Sequence, residues 1–191
     1  MLRSVRCTLL LALFGLAACA SQSVSLAIQA PATLHEEPLG FEQARVTRVI
    51  DGDTIEVVIT GRVEGPGAGI TEVGAEYDVR LVGIDTPESV KPGSPVECFG
   101  REASAALSAL LDGRTIRMID DVENTDAYDR LLRYIYVGAE MANARLVANG
   151  YASAYMYPPN VRHSTFFMDL QASARASDEG LWAPETCNGE A

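Results

Sequence analysis

The sequence predicts a mainly β protein with added helices, an α+β fold organised as a small closed barrel of five strands with three helices. Five short segments are rich in β-branched and aromatic residues and are bounded by Gly, Pro, Asp and Asn. One helical pattern lies between the third and fourth of these segments, and two more follow the fifth. Five strands with a helix in that connection fit a small barrel.

The first three strands are predicted at residues 45–51, 54–60 and 76–84. The first two form a hairpin, because Asp51-Gly52-Asp53 separates two β-branched runs and Asp-Gly in that setting is a hairpin or bulge signal. Residues 61–74 form a glycine-rich surface loop. They are not a phosphate-binding loop, because the GK[ST] sequence of such a loop is missing.

The remaining strands and the helices follow from apolar spacing. Residues 100–111 are predicted as a helix that Asp112-Gly113 ends. Strands at 114–119 and 130–137, a short helix at 141–149 and a last helix to about residue 179 complete the barrel. Ser164 or Thr165 would cap the last helix. Its inward face would carry Phe166, Phe167, Leu170 and Ala174.

Residues 79–88 carry the strongest chemical signal. Pro87 cannot donate to a strand ladder, so the third strand stops there and leaves Asp85 and Glu88 on a stiff turn. Arg80 lies further back on the same strand. Hard cations prefer oxygen ligands, and arginine suits the several oxygens of a phosphate. The stretch therefore predicts a metal-assisted phosphoryl site, and the alternative is a strand end with ordinary solvated charges.

Two further stretches extend this pattern. DGDT stands at residues 51–54, RLVGIDTPE at 80–88 and TDAYDRLLRYIY at 125–136. In this order and spacing the three resemble the thermonuclease (staphylococcal nuclease-like) family, from about Arg45 to Trp182. The resemblance implies an OB-fold barrel with three helices. It also implies a Ca²⁺-dependent nuclease that cuts DNA and RNA and leaves 3′-phosphate ends.

The resemblance also assigns roles to individual residues. Asp53 and Asp85 would be metal ligands together with the main-chain carbonyl of Thr86, and Asp51 would be a nearby outer carboxylate. Glu88 would activate the attacking water. Arg80 and Arg130 would stabilise charge on the phosphorus. An all-oxygen ligand set independently favours Ca²⁺ over Mg²⁺ or Mn²⁺.

Two tyrosines are candidate substrate contacts. Tyr128 and Tyr155 match positions that line the family's nucleotide pocket, and aromatic faces suit base stacking without sequence preference. The alternative is that both rings only pack at the rim of the barrel. This chain departs from the family in having one lysine, Lys91, which weakens the expected grip on the substrate without touching the catalytic set.

The N-terminus predicts export. Residues 1–18 combine Arg3 and Arg6 with a short apolar run and small residues, as in a signal peptide. Leu16-Ala17-Ala18-Cys19 resembles the bacterial lipoprotein box, in which Cys19 is lipidated; the alternative is cleavage after Ala20. Residues 19–44 would be a flexible tether, 45–187 the folded domain and 188–191 a tail. The expected location is the cell envelope, with a membrane-anchored monomer facing the periplasm or the exterior.

Two cysteines remain for the folded part, Cys98 and Cys187. In an exported domain they favour a disulfide, and the alternative is metal ligation by two thiols without histidine partners. His163, near the start of the last helix, is expected to be a capping or surface residue.

The negative net charge of the chain is unusual for a nuclease and suggests a second candidate function. The chain carries 15 basic and 26 acidic residues, for a net charge of −11. Phosphate affinity comes mainly from basic surface, so a nuclease with this balance needs a local positive pocket built from Arg80, Arg130 and a cation. The alternative is a non-catalytic OB-fold module that binds nucleic acid or a partner in the envelope. The intact set of Arg80, Glu88 and Arg130 favours the enzyme.

Overall fold

A computed structural model describes residues 37–90, 93 and 95–190. Residues 1–36, with the predicted signal peptide, Cys19 and most of the tether, lie outside the described residues. The strands are β1 Phe41–Val49, β2 Thr54–Val63, β3 Glu76–Leu81, β4 Ile84–Asp85, β5 Thr115–Ile119, β6 Leu131–Val137, β7 Glu140–Met141 and β8 Ser153–Ala154. The helices are α1 Gly100–Leu111, α2 Ala142–Ala148 and α3 Ser164–Ala176, followed by a 3₁₀ turn at Gly180–Trp182.

Five strands close into the predicted barrel. The sheet runs in the order β3-β2-β1-β5-β6, and β3 closes it by pairing in parallel with β6. All other pairings are antiparallel; β7 extends β6, while β4 and β8 form a separate two-stranded ribbon. Closure leaves the long strands without a free edge, which is the usual solution for a small β domain. The predicted fold class is confirmed.

The predicted hairpin is present, but its first strand begins earlier than expected. Ile50 donates its backbone N–H to the Thr54 carbonyl across the turn at 2.9 Å. β1 begins at Phe41, inside the segment predicted as tether, because the inward alternation of Ala44 and Val46 continues back to a buried Glu42. The barrel therefore takes in residues 41–44, which the sequence analysis assigned to the tether.

The core fills the barrel and the space under the helices. Helix α1 buries Ala103, Leu107 and Leu111, which repeat at one helical face. In α3, Phe167 and Ala174 are buried, while Phe166 and Leu170 pack partly buried against the core. The inward face predicted for the last helix is confirmed.

Two details of the last helix differ from the prediction. Neither Ser164 nor Thr165 supplies a side-chain cap, and the helix ends at Ala176. His163 occupies the N-cap position but is fully buried, with Nε2 2.8 Å from Glu37 Oε1 and its ring edge-on to Tyr134. His163 makes no side-chain cap and is not a surface residue, so the role expected for its side chain was wrong; its partner Glu37 lies 126 residues earlier in the chain.

The predicted disulfide joins Cys98 to Cys187, with Cα atoms 5.9 Å apart. It closes a loop with a sequence separation of 89 residues. A loop of that length corresponds to ~4–5 kcal/mol of stability on the chain-entropy account. The disulfide links Cys98, which lies just before helix α1, to the C-terminal segment of the chain.

Two smaller findings complete the description. The peptide bond between Pro158 and Pro159 is cis. Across the described ranges, the structure contains no helix that combines the length and apolar character needed to cross a membrane.

Candidate active site

Asp53 lies at the centre of the site, at the end of the β1–β2 turn. Its carboxylate is almost fully buried, with a relative exposure of 6%. Oδ2 accepts hydrogen bonds from the backbone N–H and the hydroxyl of Thr86, both at 3.1 Å, and Oδ1 accepts one from the Thr54 hydroxyl at 3.1 Å. A buried carboxylate with three donors around it is held in one orientation.

Arg80 joins the two predicted ligand carboxylates. Its guanidinium forms an ion pair with Asp53 Oδ2 and donates from Nη2 to Asp85 Oδ1 at 2.8 Å. Arg80 comes from β3 and Asp85 from β4, while Asp53 belongs to the preceding hairpin. One guanidinium therefore fixes two carboxylates from separate elements.

The approach of the turn to Thr86 depends on Gly52. A Cβ atom on this residue would lie 2.6 Å from the Thr86 hydroxyl oxygen and 2.8 Å from the Thr86 Cβ. These distances are too short for any side chain, so a residue without Cβ is required where the backbone approaches so closely. Asp51 Oδ1 accepts the backbone N–H of Asp53 at 3.1 Å, and the charge of Asp51 acts on the Asp53 carboxylate.

The two carboxylates both resist ionisation. Burial raises the pKa of Asp53 to about 6; the charge of Arg80 opposes this rise, and Asp51 and Asp85 add to it. Partial burial likewise raises the pKa of Asp85, again against the charge of Arg80. Burial is the main cause of both shifts, and the neighbouring carboxylates add to it.

The oxygen atoms of these two carboxylates fit a divalent cation. A cation would hold Asp53 and Asp85 ionised, and carboxylate and carbonyl oxygens are the donors that hard cations prefer. In the described part of the chain, no group of three or more His, Cys, Asp and Glu side chains is placed to hold a metal. The donor set would therefore be two carboxylates, the Thr86 carbonyl and water.

Arg130 faces the same region from the other side. Asp126 Oδ2 lies 2.8 Å from Arg130 Nε and 2.7 Å from Arg130 Nη2. Arg130 Nη1 lies 3.4 Å from the Thr54 hydroxyl. The guanidinium also lies over the Tyr128 ring, 5.6 Å from its centre. These contacts orient the Arg130 side chain towards the turn that carries Asp53.

A cavity of about 290 Å³ gathers most of the predicted residues. We call it the first cavity; its lining includes Arg80, Asp85, Tyr128, Arg130 and Tyr155. Tyr128 is 81% exposed and Tyr155 51% exposed, so neither ring is used up by core packing. The high exposure of Tyr128 leaves ring surface for stacking on a base, even with Arg130 over one part of the ring.

Glu88 lies on the loop beyond Pro87 and does not line the first cavity. Its Oε1 accepts the backbone N–H of Val90 at 3.0 Å. Glu97 holds the Glu88 backbone from both sides: its Oε2 accepts the Glu88 N–H at 2.8 Å, and its own N–H donates to the Glu88 carbonyl at 2.9 Å. Glu88 is thus fixed at the backbone, on the turn that also carries Asp85.

Comparison with known proteins identifies the family of this chain. The family model described as "Staphylococcal nuclease homologue" matches residues 78–184. The "Thermonuclease" of Staphylococcus intermedius is 37% identical over 141 residues, which cover 74% of this chain and 76% of that protein. The "Thermonuclease" of Staphylococcus hyicus is 34% identical over 139 residues, covering 73% and 75%. The chain belongs to the staphylococcal nuclease family.

Membership in the staphylococcal nuclease family confirms the resemblance drawn from DGDT, RLVGIDTPE and TDAYDRLLRYIY. The "Endonuclease YncB" of Bacillus subtilis is also similar, at 31% identity over 138 residues that cover 71% of this chain and 59% of that protein. The chain is therefore a nuclease, an enzyme that hydrolyses phosphodiester bonds in nucleic acid. Its barrel is the OB-type barrel of this family.

Two residues that position functional side chains of the nuclease were not predicted from the sequence. Asp126 orients Arg130, and Glu97 fixes the Glu88 backbone. Asp126 and Arg130 are four residues apart, but they lie in a loop, so the helical spacing rule could not predict their ion pair. Glu97 likewise gives no signal, because its contacts cross a loop of eight residues whose path the sequence does not specify.

Proposed function

We propose that this nuclease is a Ca²⁺-dependent endonuclease that hydrolyses DNA and RNA and leaves 3′-phosphate ends. The observation that carries the proposal is the convergence of Asp53 and Asp85 on Arg80 beside a cavity that also holds Arg130. Phosphodiester hydrolysis requires positive charge around the phosphate oxygens and a base for water. This region contains both kinds of group.

Each residue of the site has a distinct role in the proposed hydrolysis. Asp53, Asp85 and the Thr86 carbonyl would hold Ca²⁺, which when bound neutralises charge on the phosphate and orients it. Glu88 accepts a proton from the attacking water. Arg130, held by Asp126, donates to the phosphate oxygens as negative charge develops there.

Arg80 has two roles in this arrangement. It holds the two ligand carboxylates in position, and it keeps positive charge at the mouth of the first cavity. Tyr128 and Tyr155 offer exposed aromatic faces for the base. Stacking without base-edge contacts predicts little sequence preference.

The product ends test which P–O bond of the phosphodiester is cleaved. An internally labelled oligonucleotide cleaved in Ca²⁺ is expected to give products that change mobility after treatment with a 3′-phosphatase. Products with 3′-hydroxyl and 5′-phosphate ends would contradict it. The same substrate as RNA and as DNA measures the preference between them.

The N-terminus supports a proposal about location. The Leu16-Ala17-Ala18-Cys19 sequence fits lipidation of Cys19 after removal of residues 1–18, and the mature nuclease would then be an exported, membrane-anchored monomer in the cell envelope. A stable anchor needs more than one acyl chain, which this modification supplies.

Detergent partitioning tests the anchor. The mature wild-type protein is expected to enter the detergent phase, and Cys19→Ser is expected to stay in the aqueous phase or to remain uncleaved. Cys7→Ser, within the signal peptide, is the matched control and should leave partitioning unchanged. A mature chain with an unmodified N-terminus at Ser21 would refute lipidation.

A further inference from the structure

A second cavity of about 380 Å³ begins at the same carboxylate as the first. Asp85, which pairs with Ser153 in the β4–β8 ribbon, lines both cavities. Tyr155, just after β8, lines the first cavity, whereas Ser153, paired with Asp85 in the ribbon, lines the second. A polynucleotide that occupies both cavities would therefore pass Asp85.

Arg175 supplies the positive charge of the second cavity. It lies near the end of helix α3, and its guanidinium carbon lies 4.0 Å from the centre of the Trp182 ring. Trp182 is itself more than nine-tenths buried, so the ring is a fixed platform for the arginine. Among the residues that line this cavity, Arg175 carries the only positive charge.

Arg175 differs from the two arginines of the catalytic region. Arg80 and Arg130 are both paired with carboxylates. In the described ranges, no carboxylate lies within ion-pair distance of Arg175, whose side chain is exposed. Stacking on the indole ring orients the guanidinium plane and leaves its N–H edge free for an acceptor with several oxygens.

We propose that the second cavity binds the polynucleotide on the far side of the scissile phosphate, with Arg175 contacting a backbone phosphate there. The proposal rests on the proposed function, because the scissile phosphate defines the two sides. It implies a polynucleotide substrate longer than a dinucleotide. Trp182 is buried and covered by the arginine, so the contact reads the backbone and not the bases.

Binding of oligothymidylates of two and eight nucleotides tests the subsite. Dissociation constants are measured in Ca²⁺ between low and moderate salt, with Glu88→Gln as the common background so that the ligand stays intact. For single strands, each phosphate contact contributes about −0.7 to the slope of log K against log salt. Arg175→Gln is expected to reduce the slope by about 0.7 for the eight-nucleotide ligand and not for the dinucleotide.

The affinity should change in parallel. An exposed charge contact predicts a loss of about 2- to 5-fold in affinity for the longer ligand. Arg175→Lys keeps the charge and should retain most of the slope, which separates phosphate binding from a purely structural role of the Arg175–Trp182 stack. Arg45→Gln removes the same charge from an exposed position on β1, outside both cavities, and is the matched control.

Equal effects of Arg175→Gln on the two ligands would overturn the subsite, as would an equal effect of Arg45→Gln. The proposed function fails in a different way, if the wild-type protein cleaves no oligonucleotide at all. Because the subsite is read from binding, its length dependence still decides the inference in that case.

Discussion

Replacing Glu88 with glutamine is expected to lower turnover by about 10²–10⁴-fold, the range typical for loss of a positioned general base. The substitution keeps the size of the side chain and its acceptor for the Val90 N–H. It removes the negative charge and the ability to take a proton from water. Steady-state cleavage of a labelled oligonucleotide gives the turnover, and binding of the same oligonucleotide should remain largely unchanged.

Glu72→Gln is the matched control for Glu88→Gln. Glu72 is an exposed glutamate on the loop before β3, so the same chemical change there should leave turnover unaltered. Arg130→Ala should be at least as damaging as Glu88→Gln, because it removes charge stabilisation that matters most in the transition state. The two losses should not add, since both residues serve one assembled site. An unchanged turnover in Glu88→Gln would remove Glu88 from the mechanism.

Glu42→Ala is expected to lower the free energy of unfolding by about 3–5 kcal/mol, because it leaves the buried guanidinium of Arg133 without its carboxylate partner. Glu42 and Arg133 are both fully buried, with Arg133 Nε 2.6 Å from Glu42 Oε2. Glu42 Oε1 also accepts the Thr71 N–H at 3.1 Å. Arg133 donates further to the backbone carbonyl and side-chain oxygen of Asn124, both at 3.0 Å. For a domain of this size the change corresponds to a fall in melting temperature of roughly 10 °C.

The control for Glu42→Ala is Glu140→Ala. Glu140 also pairs with an arginine, Arg145, but both side chains are about half exposed, so its loss should cost less than about 1 kcal/mol. Thermal or denaturant unfolding of both variants gives the comparison. Similar stability losses in the two would show that burial of the Glu42–Arg133 pair has no special weight.

The barrel could be predicted because its signals are local. Alternating β-branched residues, the Asp51-Gly52 turn and the apolar face of α1 each appear within a few adjacent residues. The Glu42–Arg133 pair could not be predicted in this way, since its members are 91 residues apart. The missed start of β1 has the same origin, because a glutamate in a strand pattern looks exposed until its distant partner is known. His163 and Glu37 repeat this case at the start of α3.

The same distinction between local signals and distant contacts applies to the functional site. Arg80, Asp85 and Glu88 lie within nine residues, so one stretch of sequence suggested their chemistry. The contact between Asp53 and Thr86 spans 33 residues and came only from the family resemblance. Arg175 and Trp182 gave no chemical signal, because the stack depends on how the segment after α3 folds back. Sequence therefore predicts the residues of one loop well and the pairing between loops poorly.

Cleavage of nucleic acid by the wild-type protein in Ca²⁺, then with excess chelator, then after Ca²⁺ is restored, tests the central claim most directly. The account predicts cleavage of DNA and RNA in Ca²⁺, loss of cleavage in chelator and recovery when Ca²⁺ is added back. Cleavage that continues in chelator would contradict the metal site at Asp53 and Asp85. A protein that binds oligonucleotides in Ca²⁺ but never cleaves them, where a related nuclease does, would contradict the enzyme itself.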